Sequence, residues 1–120
     1  MDSTTNVAKL KKLMEDFVQE RDWAQFHTPK DLSIALAIEA AELMEIFQWK
    51  EQKTAGDIKN DEKTMAKIRE ELADVILYSL AIANRLDIDV SSAVEHKMVR
   101  NKQKYPIDKA KGTSKKYTEL

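Results

Sequence analysis

The sequence contains no cysteine and only two glycines and two prolines among its 120 residues. Without cysteine the chain has no disulfide, no thiolate nucleophile and no cysteine-ligated zinc site. Oxygen and imidazole groups are therefore the only plausible ligands for a metal ion. The scarcity of glycine and proline also removes the usual turn signals and makes an all-β fold a poor interpretation.

The chain also lacks a long apolar run and an excess of charge of either sign. The most apolar stretch, Val75 to Ala83, is interrupted by Ser79 and too short to cross a bilayer, and residues 1–10 have no apolar signal region. The 20 Lys and Arg residues nearly balance the 21 Asp and Glu residues, so no overall field attracts nucleic acid. We therefore expect a cytoplasmic protein with neither a membrane nor a nucleic-acid partner.

Apolar residues that recur at three- to four-residue spacing predict four helices. The second of these is rich in Ala, Leu, Ile and Glu, which favour helix by intrinsic propensity. The predicted ranges are Thr4 to Arg21, Asp31 to Trp49, Glu62 to Leu86 and Val90 to Lys104. On the third helix the residues expected on the buried side are Ile68, Leu72, Val75, Ile76, Leu80, and Ile82 or Ala83.

Cap residues mark where these helices begin. In the loop of residues 22–30, Thr28 is placed to cap the second helix and Pro29 to occupy its first position. Asp87 or Asp89 is placed to cap the fourth helix. Candidate caps of the first helix are Ser3, Thr4 and Thr5.

The connections complete the predicted architecture. Residues 50–61 are polar, include Gly56 and lack an apolar stripe, which predicts a solvated link. Pro106 ends the fourth helix, and a polar, basic tail follows over about residues 107–120. We expect one all-α domain over residues 1–120 that resembles a four-helix bundle.

Two acidic pairs have a spacing that puts both members on one helical face. Glu39 and Glu42 stand three apart in the second helix, and Glu71 and Asp74 stand three apart in the third. The second pair lies at the edge of the predicted buried stripe of its helix. The first pair falls inside an apolar stripe formed by Leu32, Ala35, Leu36, Leu43 and Ile46.

Four carboxylates directed into a bundle repel one another and lose hydration, at a cost of several kcal/mol for each unpaired buried charge. A cation between them would offset that cost. Hard divalent ions bind carboxylate oxygens, and Mg²⁺ also accepts phosphate oxygens, so such a site can hold a triphosphate.

Two other interpretations compete with this one. Acidic pairs three residues apart are common on solvated helix faces, where they bind nothing. A di-iron carboxylate bundle would require Glu-x-x-His motifs on two helices. The chain has none, because His96 follows Glu95 directly and His27 lies in a loop.

The paired motifs Glu39-x-x-Glu42 and Glu71-x-x-Asp74 resemble the metal-binding signature of the all-α nucleotide pyrophosphohydrolases of the MazG-like group. The surrounding sequence is similar to the dCTP pyrophosphatase branch of that group, from about Leu13 to the C-terminus. The segments that carry the likeness are residues 20–27 (ERDWAQFH), 45–49 (EIFQW), 70–75 (EELADV), 97–101 (KMVRN), 105–106 (YP) and 115–118 (KKYT).

This resemblance implies a reaction and a metal. Glu39, Glu42, Glu71 and Asp74 would ligate Mg²⁺, for which Mn²⁺ can substitute, and the ion would position water for attack on the α phosphorus of a nucleoside triphosphate. Pyrophosphate would leave, in a reaction that removes unwanted or excess dNTPs. Glu45, one turn beyond Glu42, would orient the water or be a partly exposed glutamate without a role.

The resemblance also implies nucleotide contacts and an assembly. Tyr78 would contact the nucleotide and exclude a ribose 2′-hydroxyl, and Lys97 and Asn101 would reach phosphate and base. The residues implied around the base and sugar are Trp23, Phe26, His27 and Trp49. Members of the group form dimers or tetramers with the active site near subunit interfaces, so we expect a homo-oligomer.

One position departs from the family pattern. Vertebrate dCTP enzymes carry a histidine in the first helix where this chain has Met14, and a thioether cannot donate a hydrogen bond. Two interpretations outside catalysis stay open: a helical interaction module with an incidental acidic face, and a sensor that binds a triphosphate without turnover.

Overall fold

A computed structural model describes residues 1–120, and the chain is helical throughout, without β-strands. None of its helices is both long enough and apolar enough to cross a membrane. The contacts divide the chain into two compact units, residues 1–87 and residues 88–120. The helices are α1 (Val7–Glu20), α2 (Pro29–Glu45), α3 (Ala55–Lys59), α4 (Glu62–Arg85), α5 (Val90–Lys104) and α6 (Ile107–Ala110), with 3₁₀ turns at Ala24–Phe26 and Tyr117–Glu119.

Side-chain caps determine where the first five helices begin. In each, a side-chain oxygen accepts a hydrogen bond from the backbone N–H three residues later, an interaction that stabilises a helix by about 1 kcal/mol. The caps are Asn6, Thr28, Thr54, Asp61 and Asp89. The predictions for Thr28, Pro29 and Asp89 are confirmed. The cap predicted for α1 was wrong, because Asn6 accepts from Lys9 at 2.9 Å and the helix begins at Val7.

The second helix ends earlier than predicted, at Glu45 instead of Trp49. Beyond that point the hydrogen bonds tighten to a three-residue spacing, from Phe47 N–H to Met44 C=O and from Gln48 N–H to Glu45 C=O. Trp49 then adopts a left-handed backbone conformation with φ of 64°. A helix cannot continue through that conformation, so Trp49 lies in the connection that follows α2.

The connection over residues 50–61 is more structured than predicted. It contains α3, which is capped by Thr54 and contacts α4. Ile58 of α3 is partly buried, so one apolar side chain holds this short helix in place. The polar tail contains α6 and a 3₁₀ turn, whereas its composition did not decide between an ordered and a loose segment.

The first unit is built around α4, which contacts both α1 and α2. Its core is small: Leu32 is only 2% exposed, and Met14, Val18 and Ala81 are also buried. A long-range hydrogen bond supports the packing, since the Asn84 side-chain amide donates to the Lys11 carbonyl at 2.9 Å.

Two residues predicted on the buried side of α4 are exposed. Leu72 and Ile76 each retain 46% exposure, whereas Leu80 and Ala83 are buried as expected. The face of α4 that contacts α2 carries the row that includes Glu71, and neighbours in a helix point about 100° apart. Leu72 and Ile76 are therefore turned away from the contact with α2.

In the second unit, two tyrosines connect α5 to the C-terminal turn. The rings of Tyr105 and Tyr117 meet edge to face with centroids 6.0 Å apart, and Lys104 places its ammonium 4.7 Å from the Tyr117 ring centroid. These contacts hold the C-terminal segment against the end of α5.

Candidate functional site

The contact between α2 and α4 brings together three of the four predicted metal ligands. One carboxylate oxygen from each of Glu39, Glu42 and Glu71 lies within 4.8 Å of the others. Asp74, one turn after Glu71, lines a cavity with Glu39 and so lies beside this group. We call these four side chains the carboxylate cluster.

Two oxygens of the cluster are buried without a partner. Glu39 and Glu71 are partly buried, and the Oε2 atom of each has neither solvent access nor a hydrogen bond. No lysine or arginine forms an ion pair with the cluster. An unpaired buried polar atom is costly, so this arrangement favours a cation as the missing partner.

Crowding changes the proton affinity of the cluster. Loss of hydration is the main cause that raises the pKa of Glu39 to about 7, with further contributions from a hydrogen bond to Glu42 and from the charges of Glu42, Asp74 and Glu71. The pKa of Glu71 is raised as well, first by loss of hydration and then by Glu42, Asp74 and Glu70. The cluster therefore resists carrying its full negative charge.

The chemistry of the cluster fits a hard divalent cation. Its donor atoms are all carboxylate oxygens, the ligands that Mg²⁺ and Mn²⁺ prefer, and it contains no sulfur or imidazole. A cation held by Glu39, Glu42 and Glu71 would also supply the partner that the two orphaned oxygens lack.

An aromatic cavity of about 310 Å³ opens on one side of the cluster. Glu39 and Asp74 form its acidic wall, and Trp23 and Tyr78 supply aromatic surface. Trp23 is held by an edge-to-face contact with Phe17, at 5.6 Å between ring centroids. The full lining is Leu13, Met14, Phe17, Trp23, Glu39, Asp74, Leu77 and Tyr78.

A second, charged cavity of about 390 Å³ opens on the other side of the cluster. Lys50 and Lys67 lie in its wall, and neither forms an ion pair there. We call it the lysine cavity; its lining is Glu42, Glu45, Ile46, Lys50, Lys67 and Glu71. Because α2 and α4 run antiparallel, the lysine cavity lies toward the end of α2 and the start of α4.

The structure places three predicted base contacts outside the aromatic cavity. Phe26 is 62% exposed, His27 follows the 3₁₀ turn, and neither lines the cavity. Trp49 is 94% exposed and lines neither cavity. Their contacts with a nucleotide remain predictions. Of the four residues predicted around the base and sugar, only Trp23 lines the aromatic cavity.

The remaining predicted residues divide between the two units. Glu45 is exposed and lines the lysine cavity, one turn beyond Glu42. Lys97 and Asn101 lie one turn apart on α5 in the second unit, where Lys97 is exposed and Asn101 is partly buried. The contacts predicted for these two residues remain predictions.

Sequence reasoning missed both lysines of the lysine cavity. Lys67 stands four residues before Glu71, the spacing that puts two side chains on one face of α4. That signal was available in the sequence. Lys50 had no comparable signal, because its position depends on where α2 ends and how residues 46–54 fold back.

Comparison with known proteins now identifies the fold family. The sequence profile of the MazG-like family matches residues 34–120, which include the whole carboxylate cluster. The chain belongs to the MazG-like family. The resemblance inferred from the two acidic motifs is thereby confirmed.

The relatives of this MazG-like chain include mammalian proteins named dCTP pyrophosphatase 1. Those of Rattus norvegicus and Homo sapiens are each 42% identical over 111 residues, which cover 92% of this chain. The protein of Bos taurus is 38% identical over 118 residues, covering 98% of this chain and 70% of that protein. The chain spans 65% of the length of the rat and human relatives.

A solved structure supports the same fold for this MazG-like chain. The crystal structure of a pyrophosphatase from Archaeoglobus fulgidus superposes with a TM-score of 0.74 at 36% sequence identity. The match covers 82% of this chain and 91% of the archaeal one. The all-α fold class predicted from the sequence is therefore confirmed.

Proposed function

We propose that this chain is a nucleoside triphosphate pyrophosphohydrolase that cleaves dCTP or a related dNTP to the monophosphate and pyrophosphate, with Mg²⁺ as cofactor. The observation that carries the proposal is the carboxylate cluster, which lies between an aromatic cavity and a lysine cavity. The names of the mammalian and archaeal relatives support the same reaction class.

The two cavities suggest how the substrate lies in the site. A nucleoside triphosphate has an aromatic end and an anionic end. Trp23 and Tyr78 offer surfaces for base and sugar, while Lys50 and Lys67 offer positive charge for the β and γ phosphates. The α phosphate then lies over the carboxylate cluster, where cleavage occurs.

The cluster would hold the divalent cation, and Glu39, Glu42, Glu71 and Asp74 are its proposed ligands. When bound, the cation neutralises these carboxylates and polarises phosphate oxygens. Mn²⁺ can replace Mg²⁺ because both accept oxygen ligands.

The reaction adds water to the α phosphorus and breaks the bond between that phosphorus and the bridging oxygen of the β phosphate. One water proton is lost to solvent or to a nearby carboxylate, the other stays on the added oxygen until the monophosphate ionises, and pyrophosphate departs on the side of the lysine cavity. Glu45, exposed beside Glu42, is proposed to orient the water. No cysteine is available as a nucleophile, so direct attack by water is the simplest route.

Sugar selection would fall to Tyr78, whose ring lines the aromatic cavity next to Asp74. A ribose 2′-hydroxyl against that ring would lose hydration without gaining a partner. Lys97 and Asn101 are proposed to contact phosphate and base, and Phe26 and His27 to lie around the base, as the family resemblance implies.

We also propose that the chain works as a homo-oligomer, a dimer or a tetramer. α2 packs against α4, yet it also exposes Ile34, Ile38 and Met44. α4 exposes Leu72 and Ile76 in addition. A helix that is apolar on both sides requires a second partner, and another copy of the chain supplies one.

This assembly gives Trp49 a place in the mechanism. Its side chain is almost fully exposed and lines neither of the two cavities beside the carboxylate cluster of its own subunit. A bulky residue in a left-handed conformation is rare and is typical of functional sites. We therefore assign Trp49 to the nucleotide bound by a neighbouring copy.

One panel of assays tests the proposal. Each dNTP and NTP is incubated with Mg²⁺, with Mn²⁺ or with EDTA, and monophosphate and pyrophosphate are quantified. We expect equimolar products from at least one dNTP, lower turnover of the matching NTP, and none with EDTA or in Glu42→Gln. Intact triphosphate after prolonged incubation, with saturable binding, would support a sensor instead; neither binding nor turnover would leave an interaction module.

A further inference from the structure

Arg85, the last residue of α4, reaches back to the loop between α1 and α2. Its Nε donates a hydrogen bond to the His27 carbonyl at 3.1 Å, and its Nη2 donates to the Ala24 carbonyl. These bonds span 58 and 61 residues of sequence. They join one end of α4 to the 3₁₀ turn that follows Trp23.

The position of Arg85 on α4 relates it to the candidate site. Glu71, Asp74, Tyr78 and Arg85 follow one another at spacings of three, four and seven residues, which keep them on one face of the helix. The same row therefore supplies two proposed metal ligands, a wall of the aromatic cavity and the anchor of the loop.

The loop itself has few other ties to α4. Trp23 donates its backbone N–H to Val18, and Phe26 donates to Trp23, but these hydrogen bonds stay within α1 and the loop. Ala24 packs against the core, and Trp23 contacts the Phe17 ring of α1. The Arg85 guanidinium is thus the polar connection between the loop and the helix that carries Tyr78.

We propose that Arg85 is a positioning residue for nucleoside binding, whose hydrogen bonds to the Ala24 and His27 carbonyls hold Trp23 in the wall of the aromatic cavity that it shares with Tyr78. Its effect on substrate rests on the proposed function; its effect on the loop does not. The planar guanidinium donates from two separate nitrogens in a fixed geometry, whereas an ammonium group donates from a single nitrogen at the end of a flexible chain.

The test compares Arg85→Gln and Arg85→Lys with Arg69→Gln, a matched control on α4 that removes an exposed ion pair with Glu62. KM and kcat for dCTP are measured well below the melting temperature of each variant. Arg85→Gln should raise KM about fivefold to tenfold, the worth of one to two hydrogen bonds, and leave kcat within about twofold. Arg85→Lys should recover part of the loss, and Arg69→Gln should match the unmodified protein.

A second measurement reads the loop directly. The chain has two tryptophans, so in a Trp49→Phe background Trp23 is the single tryptophan and can be excited apart from the tyrosines. Time-resolved fluorescence anisotropy should show a larger fast component for Trp23 when Arg85→Gln is added, and an unchanged one when Arg69→Gln is added. If Arg85→Gln fails to fold, both measurements are made on Arg85→Lys instead.

Two results would overturn the proposal. In the first, Arg85→Gln shows the same Trp23 motion and the same KM as the Arg69→Gln control. In the second, the changes in kcat and KM of Arg85→Gln are fully explained by its folded fraction, measured by circular dichroism. If the unmodified protein hydrolyses no triphosphate, the proposed function fails separately. The anisotropy result alone then decides whether Arg85 anchors the loop.

Discussion

Glu39 on α2 and Glu71 on α4 face each other with carboxylate oxygens within 4.8 Å, and each buries its Oε2 atom without a hydrogen-bond partner. Like charges at this distance destabilise the fold unless a proton or a cation intervenes. The contact between α2 and α4 is therefore a place where stability and ligand binding are directly linked.

The first prediction concerns stability against pH without metal. Because the folded-state pKa of Glu39 is raised from 4.5 to about 7, the folded chain holds a proton that the unfolded chain has lost between those values. Stability should fall as pH rises from about 4.5 to about 7 and then level off. Thermal melts in EDTA across this range measure the fall.

Glu39→Gln should flatten that pH dependence, since the amide carries no charge at any pH in the range. Glu95→Gln, at an exposed position on α5, serves as the control and should keep it. Equal pH profiles for Glu39→Gln and the unmodified chain would show that Glu39 is not the group responsible.

The second prediction separates activity from folding in the cluster. Glu42→Gln and Asp74→Asn should abolish pyrophosphate release and yet keep or raise the melting temperature in EDTA, because one crowded carboxylate is removed. Both variants should lose most of the upward shift in melting temperature that Mg²⁺ gives the unmodified chain. A loss of helical circular dichroism in these variants would instead assign the carboxylates to the fold.

The third prediction concerns Lys50 and Lys67. Each Lys→Gln substitution should weaken inhibition by pyrophosphate and raise KM by roughly three- to tenfold, the effect of removing one partly solvated charge from a phosphate site. Lys30→Gln, at the exposed start of α2, is the matched control. Unchanged inhibition by pyrophosphate in both variants would place the leaving group elsewhere.

The fourth prediction tests whether Trp49 acts on a neighbouring copy. Trp49→Ala should raise KM, and Glu42→Gln should be inactive for want of a metal ligand. When the two variants are mixed and exchange subunits, activity at low substrate concentration should recover. In a mixed oligomer the Glu42→Gln subunit supplies Trp49 to the intact carboxylate cluster of the Trp49→Ala subunit. If the mixture shows only the summed activities of the two variants, with the KM of Trp49→Ala alone, Trp49 does not act on a neighbouring copy.

How much the sequence predicted differs from element to element. α5 was predicted with its observed bounds, because Asp89 and Pro106 mark both ends. The end of α2 was missed, since residues 46–49 keep a helical composition and no Gly or Pro marks where the hydrogen bonding changes. α3 was missed because five residues are too few to show an apolar period.

The sequence also could not predict that Leu72 and Ile76 are exposed. An apolar pattern on α4 indicates which residues avoid water, but this helix has apolar residues on more than one face. Which face contacts α2 was decided by packing in the first unit.

The sequence by itself determined the helical class, the caps at Thr28 and Asp89 and the two acidic pairs, because each depends on neighbours within one turn of backbone. Only the tertiary structure decided that Glu39, Glu42 and Glu71 meet, that Lys50 and Lys67 flank them, and that Arg85 holds the loop of Trp23. Those relationships join residues far apart in the chain, and their geometry depends on how α2 and α4 rotate against each other. No periodicity in a single helix records that rotation.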